Sequence, residues 1–142
     1  MKSKLFLFPI LLLFAGCTAS RQYFTDEKVI GPYTPVVKVG NLIYVSGQIA
    51  MKPGTTEFAG DDIEAQVRQV MENIKSQLAR AGATMNEVVQ CTVYLRDMKD
   101  YAKMNQLYGS YFTAGRAPTR TTVEVSNLPR NAKVEITAVA YQ

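Results

Sequence analysis

The chain predicts an α+β sandwich: one sheet, two helices, and both helices on the same face of the sheet. Three observations predict it. Two alternating apolar segments, 36–39 and 42–49, precede the first helical pattern; a single strand-like run, 88–95, lies between that pattern and a second one; two further alternating segments, 120–125 and 133–141, close the chain. The order strand-strand-helix-strand-helix-strand-strand leaves one sheet face uncovered by its own chain.

The first residues read as a leader. Met1-Lys2-Ser3-Lys4 is a short basic region, and Leu5 to Phe14 is an almost unbroken apolar run. That run falls short of the ~20 apolar residues a bilayer span needs, so residues 1–16 are expected to be a signal peptide. Ala15-Gly16 before Cys17 is similar to the lipobox of bacterial lipoproteins, in which Cys17 would carry the lipid. No aspartate follows Cys17, and the resemblance then implies the outer membrane, facing the periplasm. Removing 16 of the 142 residues takes away Lys2 and Lys4, so the formal charge of +4 falls to +2. Residues 17–28 are polar and lack periodicity, which reads as a tether. The domain is expected over 29–142.

Within it, Gly40-Asn41 is a two-residue hairpin turn between the first two strands. Met51 to Gly60, with Pro53 and Gly54, is a loop. Ile63, Val67, Val70, Met71, Ile74 and Leu78 mark one helix face, with Asp61 or Asp62 at the N-cap and Gly82 at the end. Thr84-Met85-Asn86-Glu87 has the pattern of a capping box. Cys91 keeps step with Val89, Val93 and Leu95, as a small buried hydrophobe does. Asp97 opens the second helix, whose buried stripe is expected to be Tyr101, Met104, Tyr108, Tyr111 and Phe112. In the last strand Val134, Ile136, Ala138 and Ala140 alternate with Val139 and Tyr141. Both faces are therefore apolar, and an oligomer is expected.

Composition excludes much chemistry. There is no histidine, so Ser-His-Asp and Cys-His hydrolysis are out. A zinc site would have to be built from carboxylates, without imidazole or paired thiols. If Cys17 is acylated, Cys91 has no disulfide partner. No Gly-rich phosphate loop occurs, and basic residues are interleaved with acidic ones, which argues against nucleic acid as a partner. Catalysis without a cofactor or metal would have to come from an arginine and from hydroxyl, amide and carboxylate groups acting on water.

Arg120 is the best clue to a ligand. It opens the alternating segment Arg120-Thr121-Thr122-Val123-Glu124-Val125 at the end of a loop, where rigid backbone holds a guanidinium whose planar fork matches a carboxylate. Arg120, Thr122 and Glu124 share one face; Thr121, Val123 and Val125 share the other. The plain alternative is a surface ion pair.

Gly31-Pro32-Tyr33, Ile43-Tyr44-Val45-Ser46-Gly47-Gln48-Ile49, Ala117-Pro118-Thr119-Arg120-Thr121-Thr122-Val123-Glu124-Val125, Leu128-Pro129 and Val134-Glu135-Ile136 stand in one order and spacing. Together they resemble the reactive intermediate deaminases, the RidA/YjgF family, from about Ile30 to Tyr141. The resemblance implies a chorismate-mutase-like fold and a homotrimer whose three sheets form a central barrel, with sites in the clefts between subunits. It implies hydrolysis of 2-imino and 2-enamino acids to 2-keto acids and ammonia, with no cofactor. Arg120 would clamp the substrate carboxylate, and the Gly47 amide, between Ser46 and Gln48, would help hold it. Tyr33 would line the site from a neighbouring subunit, Thr122 would line the cleft where relatives often carry cysteine, and Asn105 would stand nearby.

Family enzymes place a water-activating glutamate on the last strand. Aligned through Val134-Glu135-Ile136, that position reads here as Thr137, which can orient water but cannot take its proton at neutral pH. Glu124 and Glu135 are the nearby carboxylates that could substitute. Pro35 is a milder departure, since glutamine is common at its place. The expected function is therefore an envelope deaminase with Arg120 and Thr137 in the catalytic role. The alternatives are a non-catalytic lipoprotein binding small 2-imino or 2-keto carboxylates in the same cleft, and a purely structural platform.

Overall fold

The computed structural model describes residues 19–25, 29 and 31–142; the leader and Cys17 lie outside them. Six strands form one mixed sheet: β1 Arg21–Phe24, β2 Val36–Val39, β3 Leu42–Gln48, β4 Val88–Leu95, β5 Thr119–Glu124 and β6 Val134–Tyr141. Their order across the sheet is β1-β2-β3-β6-β4-β5. Every pairing is antiparallel except β4 with β5, which is parallel. That parallel pair needs a crossover, and helix α2, Tyr101–Gly109, supplies it. Helix α1, Ile63–Arg80, connects β3 to β4.

One difference from the sequence reading lies in the tether. Arg21–Phe24 pairs with β2, Arg21 opposite Val39 and Phe24 opposite Val36. Four residues without apolar alternation form a strand here because the edge of β2 offers unpaired backbone groups, and pairing at an edge depends little on side chains. Any tether after Cys17 is therefore shorter than 17–28. At the other sheet edge, β5 starts at Thr119 and ends at Glu124, a one-residue shift from the expected 120–125.

The core lies between the sheet and α1. Ile63, Val67, Val70, Met71, Ile74 and Leu78 are all buried, as the 3.6-residue period requires. Each contributes roughly 1.5–3 kcal/mol by leaving water. Opposite them stand Ile43, Val93, Val134, Ile136, Ala138 and Ala140. Asp62 caps α1 by accepting from the Ala65 N–H at 2.7 Å, and Gly82 ends it with φ +80°, a conformation that favours glycine. The Thr84–Glu87 capping box forms.

Two buried amides of α1 fix the sheet's site end. Asn73 donates to the carbonyls of Ile49 (3.1 Å) and Met51 (3.0 Å), just beyond β3. Gln66 accepts from the Lys133 N–H at the start of β6 (2.9 Å). Among the described residues the sheet's other face carries no covering layer and exposes Tyr44, Val89, Val123 and Tyr141.

Candidate functional site

Arg120 faces the helix layer. Its register partner on β4 is Cys91, which is buried, and parallel neighbours share a face. Three residues of α2 meet it, at positions 101, 105 and 108, which one helix face brings together. Nη2 donates to Asn105 Oδ1 (2.8 Å) and to the Tyr101 hydroxyl (3.1 Å). The Tyr108 ring lies beneath, 4.7 Å from Cζ, and the Tyr101 ring is at 5.8 Å. Cation–π contact and two hydrogen bonds hold the group without neutralising it. Among the described residues no carboxylate lies within ion-pair distance of Arg120, and Nε and Nη1 are free. A fixed, unpaired guanidinium is a site for an anion, and its remaining donors suit a carboxylate.

Thr122 stands on the same face, two residues on. Its Oγ1 is buried with no hydrogen-bond partner among the described residues, and the Tyr108 hydroxyl lies by the Cys91 thiol. Burial raises the Cys91 thiol and the Tyr108 hydroxyl above their ordinary ranges, so both remain neutral at physiological pH.

A second cluster forms where β3 ends. The Ser46 hydroxyl donates to the Thr34 carbonyl (2.7 Å), and the Ser46 N–H to the Pro35 carbonyl (2.9 Å). Those two bonds draw the Gly31-Pro32-Tyr33 segment against Gly47. Gln48 folds back to donate to the Ser46 carbonyl at 2.9 Å. Register with β6 shifts between Val45 and Gln48, so an irregularity in β3 re-aims Gly47. A pocket of about 320 Å³ opens there, lined by Tyr33, Ser46, Gly47, Ile49, Pro129 and Glu135. The Glu135 carboxylate is half-buried and accepts no hydrogen bond among the described residues. Burial raises its pKa above the ordinary 4.5.

Thr137 is not brought to this pocket. Thr137 pairs with Thr92 farther along β6 and does not line the pocket. Glu135 does, two residues earlier on the same strand face. Glu124, the other carboxylate weighed, is committed elsewhere: it accepts from the Met98 N–H at 2.8 Å. Tyr33, Ser46 and Gly47 line this pocket within one chain, and Asn105 and Thr122 lie on Arg120's side; the chain by itself does not bring Gly47 to Arg120, where the same carboxylate was expected to meet both. Tyr101, expected in the core, is instead more than a third exposed beside Arg120. A tyrosine at helical spacing gives no sign of whether its hydroxyl ends in core or cleft.

Residues 25–142 match the family described as Endoribonuclease L-PSP. A RutC family protein of Pyrococcus abyssi is 48% identical over 126 residues, covering 87% of this chain and 98% of that protein. The chain belongs to the RidA/YjgF family. An Escherichia coli relative of this RidA chain, 2-iminobutanoate/2-iminopropanoate deaminase, is 42% identical over 115 residues, with 80% and 89% covered. The crystal structure of Escherichia coli TdcF with bound serine superposes with a TM-score of 0.76 at 36% identity, covering 82% of this chain and 92% of that one. The RidA fold accounts for the six-stranded sheet and its two helices.

Proposed function

We propose that this RidA chain hydrolyses 2-imino acids, and their 2-enamino tautomers, to 2-keto acids and ammonia. The working form is a homotrimer in the cell envelope, held by a lipid on Cys17. One observation carries the reading: the anion site and the carboxylate lie on opposite faces of one sheet. Arg120 points to the helix layer at the β5 edge, whereas Glu135 alternates with buried Val134 and Ile136 and points to the uncovered face. They cannot converge on one small molecule within a chain. A second copy that covers the apolar face exposing Tyr44, Val89, Val123 and Tyr141 and reaches round the β5 edge would bring its own Tyr33, Gly47 and Glu135 to this chain's Arg120.

In such a cleft Arg120 binds the substrate carboxylate and Thr122 lines the wall. Glu135 takes a proton from water as its oxygen attacks the imine carbon. That proton passes to the imine nitrogen, giving the neutral carbinolamine; Glu135 then takes the hydroxyl proton and hands it to nitrogen, so the C–N bond breaks, ammonia leaves and the C=O bond forms. Atoms balance with water as the only co-reactant, and no cofactor takes part. Bound serine in TdcF, a small amino acid with an α-carboxylate, fits the same substrate class. The non-catalytic alternative rested on threonine in place of the general base, and a carboxylate now stands in the pocket.

Subunit mixing tests the reading. An amino-acid oxidase would generate 2-imino acids for wild type, Arg120→Ala, Glu135→Gln and Thr137→Val. Glu135→Gln should lose roughly 10²–10⁴ in rate, the usual worth of a general base, and Thr137→Val should lose little. Arg120→Ala and Glu135→Gln chains, unfolded and refolded together, should regain up to about a quarter of wild-type activity, since each intact cleft draws on both chains. No turnover in wild type would remove the deaminase reading; no recovery on mixing would remove the shared cleft.

A further inference from the structure

We infer that Tyr101 is a positioning residue for Arg120, acting through its hydroxyl, and that Glu124 in turn sets Tyr101. The inference rests on Arg120 being the carboxylate clamp proposed above. A guanidinium exchanges its two Nη groups by rotating about the Cζ–Nε bond, and a clamp that rotates presents a different edge after each turn. Here Nη2 is tied to two acceptors, the Tyr101 hydroxyl at 3.1 Å and Asn105 Oδ1 at 2.8 Å. The Tyr108 ring, with its centroid 4.7 Å from Cζ, crowds one side of the guanidinium and also hinders that rotation. Two acceptors at one nitrogen add what the ring cannot: they choose which edge of the fork is left for a ligand.

Tyr101 is the first residue of α2, where a helix frays most easily, so something must hold it. The turn before it, Met98–Asp100, is fixed twice. Asp97 accepts from the Lys99 N–H (2.8 Å), and Glu124 accepts from the Met98 N–H (2.8 Å). Glu124 stands four residues beyond Arg120 on the same strand and the same face. The strand that carries the clamp thus also reaches across to the turn that carries the clamp's acceptor. Arg120, Tyr101, Met98 and Glu124 close a ring of contacts, and the distance between guanidinium and hydroxyl is set inside it. Tyr101 keeps more than a third of its surface exposed, which a tyrosine used only for packing would not need.

The test needs no turnover. In the full chain, NMR of the Arg120 guanidinium should give two separate Nη signals, and in Tyr101→Phe they should exchange faster and merge at a lower temperature. Affinity for 2-oxobutanoate should fall about fivefold in Tyr101→Phe, the worth of one ordinary hydrogen bond. The loss should be absent when Arg120 is already Ala, because the hydroxyl acts through the guanidinium. Glu124→Gln, which keeps an acceptor oxygen, should retain most of the affinity, and Glu124→Ala should lose as much as Tyr101→Phe. Merged Nη signals already in wild type would overturn the inference, as would equal affinity in Tyr101→Phe or an undiminished loss in the Arg120→Ala background. Separate Nη signals without any binding of 2-oxobutanoate would keep the positioning and remove the clamp.

Discussion

The carboxylate of Glu135 occupies the space that a side chain on Gly47 would need. A Cβ built at position 47 would fall 2.9 Å from Glu135 Cδ, closer than such atoms approach, and a tight 3.2 Å from Cγ. Glycine stands there because of a neighbour and not because of its own backbone. Gly47→Ala should therefore fold and push Glu135 out of its pocket. Misplacing a reacting group by about 1 Å costs up to about 10² in rate, so kcat should drop ten- to a hundredfold with little change in thermal stability. Steady-state kinetics alongside a melting curve would check it; unchanged kcat would separate Gly47 from Glu135.

Glu135 also fixes a pH dependence. Its pKa is raised by burial above the ordinary 4.5. As a base it works only when ionised, so activity should rise with pH through that raised value, with an acid limb lying above the usual glutamate range. No histidine exists to produce such a limb instead. The stability effect has the opposite sense. A group whose folded pKa is raised contributes stability that is fully present below the unfolded value and is lost as pH climbs through the folded one. Glu135→Gln should thus lose the acid limb and flatten the fall in melting temperature above pH 4.5.

Thr122 gives a third expectation. Its hydroxyl is buried without a partner, a condition that costs about 1–3 kcal/mol when nothing compensates it. Thr122→Val keeps the shape and removes the orphan, so the free protein should gain about 1 kcal/mol in denaturant unfolding. If the hydroxyl also meets substrate in the cleft, the same variant should raise KM. A variant that is both less stable and fully active would contradict this account.

The legibility of the chain followed period and range. Apolar spacing in 63–78 and the alternation of 134–140 were enough for both the helix and the strand, because each signal is local and repeated. β1 was missed because an edge strand of four residues is held by pairing with β2, and its own side chains carry no pattern. Tyr33, Ser46, Gly47, Asn105, Thr122 and Arg120 are legible only through motif, and the structure gathers them into two clusters, one at the end of β3 and one at Arg120. Motif spacing does not separate Thr137 from Glu135, because strand faces repeat every two residues. Both lie on one face, and only the register of β6 against the irregular end of β3 says which one meets Gly47. Tyr101 was placed in the core for the same kind of reason: helical spacing names a face, and the face of α2 runs from core at Met104 to cleft at Tyr101.

Arg120→Lys separates charge from shape. Lysine keeps the positive charge, but after donating to Tyr101 and Asn105 its ammonium has a single donor left and no planar fork for a carboxylate. Its ammonium would settle on Asn105 or on the ligand, and stacking on Tyr108 would weaken. KM for a 2-imino acid should rise by about ten- to a hundredfold, the loss of one or two charge-assisted hydrogen bonds, with kcat falling less because Glu135 and water are untouched. Arg120→Ala should lose more on both counts. Equal kinetics for lysine and arginine would mean that the cleft reads only charge, and that the contacts from α2 serve stability alone.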